Sequence, residues 1–95
     1  MPYVRISLMK PMPGEREAVE RINRELASRY SVMKGYITGY VLRAQDDSDE
    51  ICRLGVWETE ADADRAATDH RNLSLRSELH LKVQPGHADR SFIDV

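Results

Sequence analysis

The sequence has little of what defines several large classes of protein. Its single cysteine, Cys52, cannot form a disulfide within the chain, which excludes a disulfide scaffold and is typical of a reducing compartment. No segment approaches the roughly 20 consecutive apolar residues that a transmembrane helix needs. Residues 1–5 also lack the apolar run of a secretory signal. We therefore expect a cytoplasmic protein with no membrane partner.

A strong excess of charge of either sign is absent as well. Lysine and arginine total 14 against 16 aspartate and glutamate residues, and no basic stripe is present that could neutralise nucleic-acid phosphates. The three histidines, His70, His80 and His87, do not have the spacing of metal ligands. No Gly-x-Gly-x-x-Gly turn follows a predicted strand, which excludes a Rossmann dinucleotide site. We expect no nucleic-acid partner, no metal and no dinucleotide cofactor.

What the sequence does contain is enough for one domain, which we assign to residues 1–95. Alternating apolar residues predict strands, and apolar residues at spacings of three and four predict helices. In order, the patterns predict a strand at 3–9, a helix at 15–30, strands at 36–43 and 51–57, a helix from about 58, a short helix at 74–81 and a strand at 88–95. The order is β-α-β-β-α-β with the second crossover broken near 70–72, which predicts a ferredoxin-like α+β fold with an antiparallel sheet.

The third predicted strand is apolar on both of its faces. One face carries Cys52, Leu54 and Val56, and the other carries Ile51, Gly55 and Trp57 together with Arg53. A sheet covered by helices on one side only would leave one of these apolar faces in water. A second copy of the chain is the simplest cover, so we predict a homodimer through the helix-free faces of the sheets.

Three segments of the chain resemble the antibiotic biosynthesis monooxygenase family of dimeric α/β-barrels. They are Lys10–Glu15 after the first strand, Gly35–Tyr40 after the first helix, and Val56–Glu60 running into an alanine-rich helix. Their order and spacing extend the resemblance over nearly the whole chain. It implies a dimeric α/β-barrel in which the pocket of each subunit lies between its helices and its sheet. Because the family includes several chemistries, the resemblance is more specific for the fold than for the activity.

The resemblance also implies a set of site residues. Members that oxidise polycyclic phenols to quinones without metal or flavin have a pocket tryptophan, which corresponds to Trp57. These members have an asparagine four residues before the tryptophan, and that position is Arg53 here. The position of their tyrosine is Ala63, and the position of their arginine is close to Arg76. Either arginine could stabilise a substrate anion if it faces the pocket. The alternatives are a core role for Trp57 and an acidic partner for Arg53 at the barrel rim.

The haem-degrading branch of the family implies a different set. Its asparagine, tryptophan and haem-ligating histidine correspond by spacing to Ser7, Ala66 and roughly Arg76, so all three positions differ. The resemblance therefore argues against haem as a cofactor. A shifted helix register, in which His70 or His80 ligates haem, remains the alternative.

His70 is the last candidate for the site, since it falls near the break after the second predicted helix. A histidine titrates near neutrality and could act as a general base, although a helix cap or a solvated position would equally explain it. His80 and His87 are predicted to lie farther from the pocket. Cys52 is predicted to face away from Trp57 as a packed barrel residue. Tyr40 could line either the pocket or the dimer interface.

Together these observations predict a small cofactor-independent monooxygenase that acts on an aromatic phenol or quinol with dioxygen. The predicted catalytic group is Trp57, Arg53, His70 and Arg76, with no cofactor. A non-catalytic, ligand-binding or stress-associated barrel is the alternative, and the changed asparagine and tyrosine positions favour it.

Overall fold

A computed structural model describes all 95 residues of the chain, 1–95. The elements are β1 (Tyr3–Met9), α1 (Arg16–Tyr30), β2 (Tyr36–Arg43), β3 (Ile51–Trp57), α2 (Glu60–Thr68), α3 (His70–His80) and β4 (Ala88–Ile93). No helix combines the length and the apolar character needed to cross a membrane.

The four strands form one antiparallel sheet in the order β2-β3-β1-β4, with β1 and β3 at its centre. The helices pack on one face of this sheet, where α1 and α2 contact β3. This arrangement confirms the predicted ferredoxin-like α+β fold. The predicted strand bounds are confirmed for β1, β2 and β3, while β4 ends at Ile93 rather than at residue 95.

The predicted position of the third helix is wrong. We expected a break near 70–72 and a helix from residue 74, but α3 begins at His70, directly after Asp69. The Asp69 carboxylate accepts hydrogen bonds from the backbone amides of Arg71 at 3.1 Å and Asn72 at 3.2 Å. This N-cap satisfies the free amides of the first turn, so the helix begins four residues earlier than its apolar pattern indicates.

The core lies between the helices and the sheet. The predicted apolar stripe of α1 supplies Val19, Ile22 and Leu26, all fully buried, and ends in Tyr30. The sheet supplies the buried Ile51 and Trp57 together with Tyr3 and Met9, and α2 and α3 supply Ala63, Ala66, Leu75 and Leu79. Burial of these side chains is the main favourable contribution to folding of so short a chain.

The opposite, helix-free face of the sheet is apolar and uncovered. The register puts Val4, Ile6 and Leu8 of β1 opposite Val56, Leu54 and Cys52 of β3, so these residues share that face. Tyr40 pairs with Leu54 and is 58% exposed there, so it does not line the cavity on the helix side, and its place in a dimer interface stays a prediction. The full set by register is Val4, Ile6, Leu8, Thr38, Tyr40, Leu42, Cys52, Leu54, Val56, Ala88, Arg90 and Phe92. Only Arg90 in this set is charged.

Candidate functional site

A cavity of about 260 Å³ opens between the sheet and the helices, at the end of the sheet where β3 stops at Trp57. It is lined by Arg5, Ser7, Ala27, Tyr30, Tyr36, Gly39, Arg53, Leu54, Gly55, Trp57, Ala63, Ala67, Arg76, Asp89 and Ser91. Alanines at 27, 63 and 67 keep the facing sides of α1 and α2 slim. The space exists because these helices carry a methyl group where a larger side chain would fill it.

The apolar side of the cavity is an aromatic group around Trp57. The rings of Tyr30 and Tyr36 meet the indole edge-to-face, with centroids 5.8 and 5.4 Å from it. Trp57 is almost fully buried, and its Nε1 lies over Gly55, where an added Cβ would stand 3.0 Å from it. Burial raises the pKa of the Tyr36 hydroxyl, so Tyr36 stays a neutral donor at neutral pH.

Arg53 brings a positive charge into the same cavity. Its side chain leaves β3 on the same face as Trp57, as the strand parity predicts, and its guanidinium lies 5.9 Å from the centroid of the Tyr30 ring. It donates hydrogen bonds to Asn23 Oδ1 at 2.7 Å and to Ser7 Oγ at 3.4 Å, and it forms no salt bridge. Its nearest acidic neighbour on the cavity wall, Asp89, acts on it through its charge and through Ser7 rather than in a direct ion pair. Burial, and also the charge of Arg76, lower the pKa of Arg53 from its ordinary value.

Arg76 adds a second cation to the cavity wall. It comes from the middle of α3, where its guanidinium donates to the backbone carbonyl of Ala67 at 3.2 Å and forms no salt bridge. Arg5, the third arginine of the wall, is paired with Asp64 at 2.8 Å. Asp89 is the only carboxylate among the lining residues. The wall therefore carries one positive charge in excess, on Arg53 and Arg76.

A smaller crevice continues the cavity on the side away from Trp57. Ser7, Arg53, Arg76 and Asp89 line both spaces, and we call these four residues the polar end of the cavity. Ser7 donates a 2.6 Å hydrogen bond to Asp89 across the β1–β4 pairing. His80 and His87 also line the crevice, with ring centroids 4.5 Å apart, so they lie nearer to the site than the sequence indicates.

The sequence reasoning did not identify Asp89 as a site residue and treated Ser7 only as a changed haem position. The signal that was available is the alternation of β1, because Arg5 and Ser7 are polar residues on the face that the helices cover. The partner strand of β1 could not be derived from the pattern, since β4 pairs with it across about 80 residues of sequence.

Two predicted residues lie away from this cavity. His70 is the first residue of α3, directly after the cap at Asp69; it is exposed to solvent and is absent from the cavity wall. The hypothesis that His70 is the general base therefore has no support from the geometry. Cys52 lies on the helix-free face, as predicted. Burial and the nearby Glu50 raise the pKa of its thiol, which disfavours the thiolate.

The arrangement as a whole fits a small ligand that is aromatic at one end and negatively charged at the other. The volume is slightly below the ~300–1,000 Å³ of typical small-molecule sites, which favours a ligand of one or two rings. The structure groups no set of three or more histidine, cysteine, aspartate or glutamate side chains as metal ligands. Trp57, Arg53 and Arg76 meet in one cavity, and a catalytic role for them stays a prediction.

Comparison with known proteins agrees with the fold. A family described as antibiotic biosynthesis monooxygenase matches residues 2–72. No curated protein matches the sequence. Among solved structures, Rv0793 from Mycobacterium tuberculosis superposes with a TM-score of 0.90 at 14% identity, covering 100% of this chain and 96% of its own. PA3566 from Pseudomonas aeruginosa has a TM-score of 0.86 at 19% identity, covering 99% and 94%.

A third solved structure is described by its activity. SnoaB from Streptomyces nogalater, a cofactor-independent oxygenase, has a TM-score of 0.86 at 15% identity, covering 99% of this chain and 93% of its own. At identities this low the structural likeness establishes a common fold and carries no residue roles with it.

Proposed function

Because the chain belongs to the antibiotic biosynthesis monooxygenase family, as the match over residues 2–72 shows, we propose that it is a monooxygenase that needs no cofactor. The proposed substrate is a small aromatic phenol or quinol, and the oxidant is dioxygen. The observation that carries the proposal is that two guanidiniums, Arg53 and Arg76, form no direct ion pair and lie on the wall of a cavity whose other side is Trp57. The two guanidiniums can stabilise the negative charge of a conjugated anion, and the indole can pack against its ring.

The chemistry follows from stabilising the anion. Arg53 and Arg76 lower the energy of the ionised hydroxyl in a half-buried site, and the proton is released to solvent. The anion transfers one electron to dioxygen, and the resulting substrate radical and superoxide combine to form a carbon–oxygen bond. The peroxide loses water to leave a carbonyl. For a ring methylene the balance is R₂CH₂ + O₂ → R₂CO + H₂O. The aromatic group around Trp57 holds the ring system during these steps.

Oxygen uptake tests the proposal. We expect purified, EDTA-treated protein to consume oxygen with at least one member of a panel of anthrones, naphthols and naphthohydroquinones, faster than the heat-denatured protein does. With an anthrone or a naphthol, one carbonyl product should form for each dioxygen consumed, with one oxygen atom of ¹⁸O₂ retained in it. Hydrogen peroxide formed in a one-to-one ratio to quinone would indicate an oxidase instead. No protein-dependent uptake across the panel would contradict the proposal.

A specific observation favours a second candidate function, a non-catalytic barrel that binds a small molecule. The phenol-oxidising relatives implied an asparagine and a tyrosine at positions that here are Arg53 and Ala63, so two members of their group are changed. In that case the same cavity would bind an aromatic ligand tightly and no oxygen would be consumed with any ligand that binds.

We also propose that the protein is a homodimer whose subunits pack through the helix-free faces of their sheets. That face exposes Tyr40, Leu42 and Phe92, each more than two fifths accessible, and Arg90 is its only charged residue. A contiguous apolar surface of this kind is unfavourable in water. An identical face on a second copy is equally apolar apart from its own Arg90 and can cover it by two-fold symmetry.

Replacing Leu54 by aspartate is expected to convert the dimer to a monomer. Leu54 lies on the central strand β3 and faces the proposed interface between Ile6 and Tyr40, where a buried, unpaired carboxylate would be costly. Sedimentation equilibrium at micromolar concentration measures the change. Val32→Asp is the matched control, since Val32 is 85% exposed in the turn after α1, and it should stay dimeric. A wild-type monomer would contradict the proposal.

A further inference from the structure

The charges on the cavity wall are not balanced by the protein itself. Arg5 is neutralised by Asp64, but Arg53 and Arg76 share only one nearby carboxylate, Asp89. Asp89 already accepts a hydrogen bond from Ser7 and lies 3.8 Å from His87. Two cations close together in a half-buried site repel one another, and burial adds to this cost. One further negative charge would therefore be bound favourably at this place.

The position of that charge is defined by the shape of the cavity. The polar end, Ser7, Arg53, Arg76 and Asp89, lies where the cavity meets the crevice. The aromatic group of Trp57, Tyr30 and Tyr36 lies at the other end, beside the alanines of α1 and α2. A ligand that fills both ends has a flat ring system on one side and an anionic group on the other.

We propose that the cavity binds a hydroxyaromatic carboxylic acid, with its carboxylate on Arg76, its hydroxyl toward Arg53 and its ring against Trp57. This rests on the proposed function, since it names the class of phenol that would be oxidised. A guanidinium binds a carboxylate with two parallel hydrogen bonds, a geometry that suits arginine better than lysine. A simple phenol, with a pKa of about 10, is neutral at pH 7, whereas a carboxylic acid with a pKa of about 4 is already ionised. A site with a permanent positive charge selects the permanent anion.

Calorimetric titration of the wild-type protein with a matched pair of ligands tests the charge requirement. At pH 7.5 and low salt, 1-hydroxy-2-naphthoate is expected to bind about tenfold or more tightly than 1-naphthol, which has the same rings and hydroxyl without the carboxylate. Trp57 is the only tryptophan, so the protein has a single indole N–H resonance. That resonance should shift on binding of either ligand if both occupy this cavity.

Variants of the polar end give changes of opposite sign. Arg76→Met is expected to weaken binding of the naphthoate about tenfold and binding of the naphthol less than twofold. Asp89→Asn removes the only competing negative charge, so it should tighten binding of the naphthoate a few-fold. Arg76→Lys keeps the charge and should recover part of the loss, which guards against a folding defect in Arg76→Met. Arg21→Met, on the exposed side of α1 and in no ion pair, should leave both affinities unchanged.

The outcomes separate this inference from the proposed function. Equal affinity for the two wild-type ligands, or an equal loss of both in Arg76→Met, would overturn it. Failure of both ligands to bind would overturn it as well. If naphthols or anthrones are oxidised while the acid shows no preference, the oxygenase proposal stands and this inference is wrong. If the acid binds with the expected charge dependence and no phenol in the panel is oxidised, the inference stands as a property of a binding protein.

Discussion

Arg53→Ala is expected to lower the turnover number for protein-dependent oxygen uptake about 100-fold, the loss typical of removing one charge-stabilising group from an active site. Arg53 lies on the cavity wall beside Trp57 and has no carboxylate partner, so its charge is available to the substrate anion. The effect should appear mainly in kcat, because Arg53 stabilises the anion, which forms only after the substrate has bound. Steady-state oxygen-electrode assays, with the best substrate of the panel, measure it.

A structural effect of the same substitution has to be separated from this loss. Arg53 donates to Asn23, which is fully buried, so Arg53→Ala leaves an amide oxygen without its partner and costs about 1–3 kcal/mol of stability. Thermal unfolding followed by circular dichroism reports that cost. Added methylguanidinium should restore part of the activity of Arg53→Ala, since the alanine leaves room for it, and it should not affect the wild type. Full activity in Arg53→Ala and in Trp57→Phe would show that the site assignment is wrong.

The largest loss of stability is expected for Gly35→Ala, which should destabilise the fold by about 4 kcal/mol. Gly35 has a φ of +85°, where a Cβ is strained, and a Cβ built there would lie 2.6 Å or less from three side-chain atoms of Asp62. Asp62 cannot move aside freely, because its carboxylate accepts hydrogen bonds from Thr59 and Arg65 at the start of α2. The Gly35 carbonyl also accepts the amide of Glu58, which fixes the backbone. A fall in Tm of about 15–30 °C follows for a domain of this size.

Gly14→Ala is the matched control for this prediction. Gly14 has a similar φ of +79°, but nothing lies within 4 Å of the added Cβ. Gly14→Ala should therefore cost only the backbone strain of a Cβ at positive φ, which is about 1 kcal/mol of stability or a Tm decrease of about 4–8 °C. Equal losses for Gly35→Ala and Gly14→Ala would mean that the contact with Asp62 contributes nothing, and the packing of the first helix–strand turn against α2 would need another explanation.

The proposed site has an arginine, Arg53, at the position where the resemblance to phenol-oxidising members implied an asparagine, and the contacts of Arg53 show what holds it there. Arg53 stands where their asparagine was expected, and behind it the fully buried Asn23 of α1 accepts its hydrogen bond. Asn23 also donates to the Val19 carbonyl, so its orientation is fixed. The side-chain amide of Asn23 therefore lies behind Arg53, farther from the cavity, and holds the guanidinium in place on the cavity wall. The excess positive charge on the cavity wall, of which this guanidinium is part, is the basis for expecting an acidic substrate.

The sequence by itself determined the order of the elements and the faces of the strands. The two periods of the apolar pattern, two along β1 and β3 and between three and four along α1, depend only on local geometry. Parity along β3 likewise put Arg53 and Trp57 on one face and Cys52 on the other, and the structure confirms both. These conclusions needed no knowledge of which strands pair.

Other features were decided by the tertiary structure alone. The surroundings of Arg53 are one example. Ser7 and Asp89 lie beside it only because β1 pairs with β4, and these strands are at opposite ends of the chain. His70 was a plausible base from its place in the sequence, but α3 begins at this residue and leaves it exposed to solvent, away from the cavity wall. The physical reason is the same in each case. Periodicity fixes the direction of a side chain relative to its own element, whereas a site is made by side chains from several elements. Their meeting depends on strand order, on register and on where a capping side chain starts a helix.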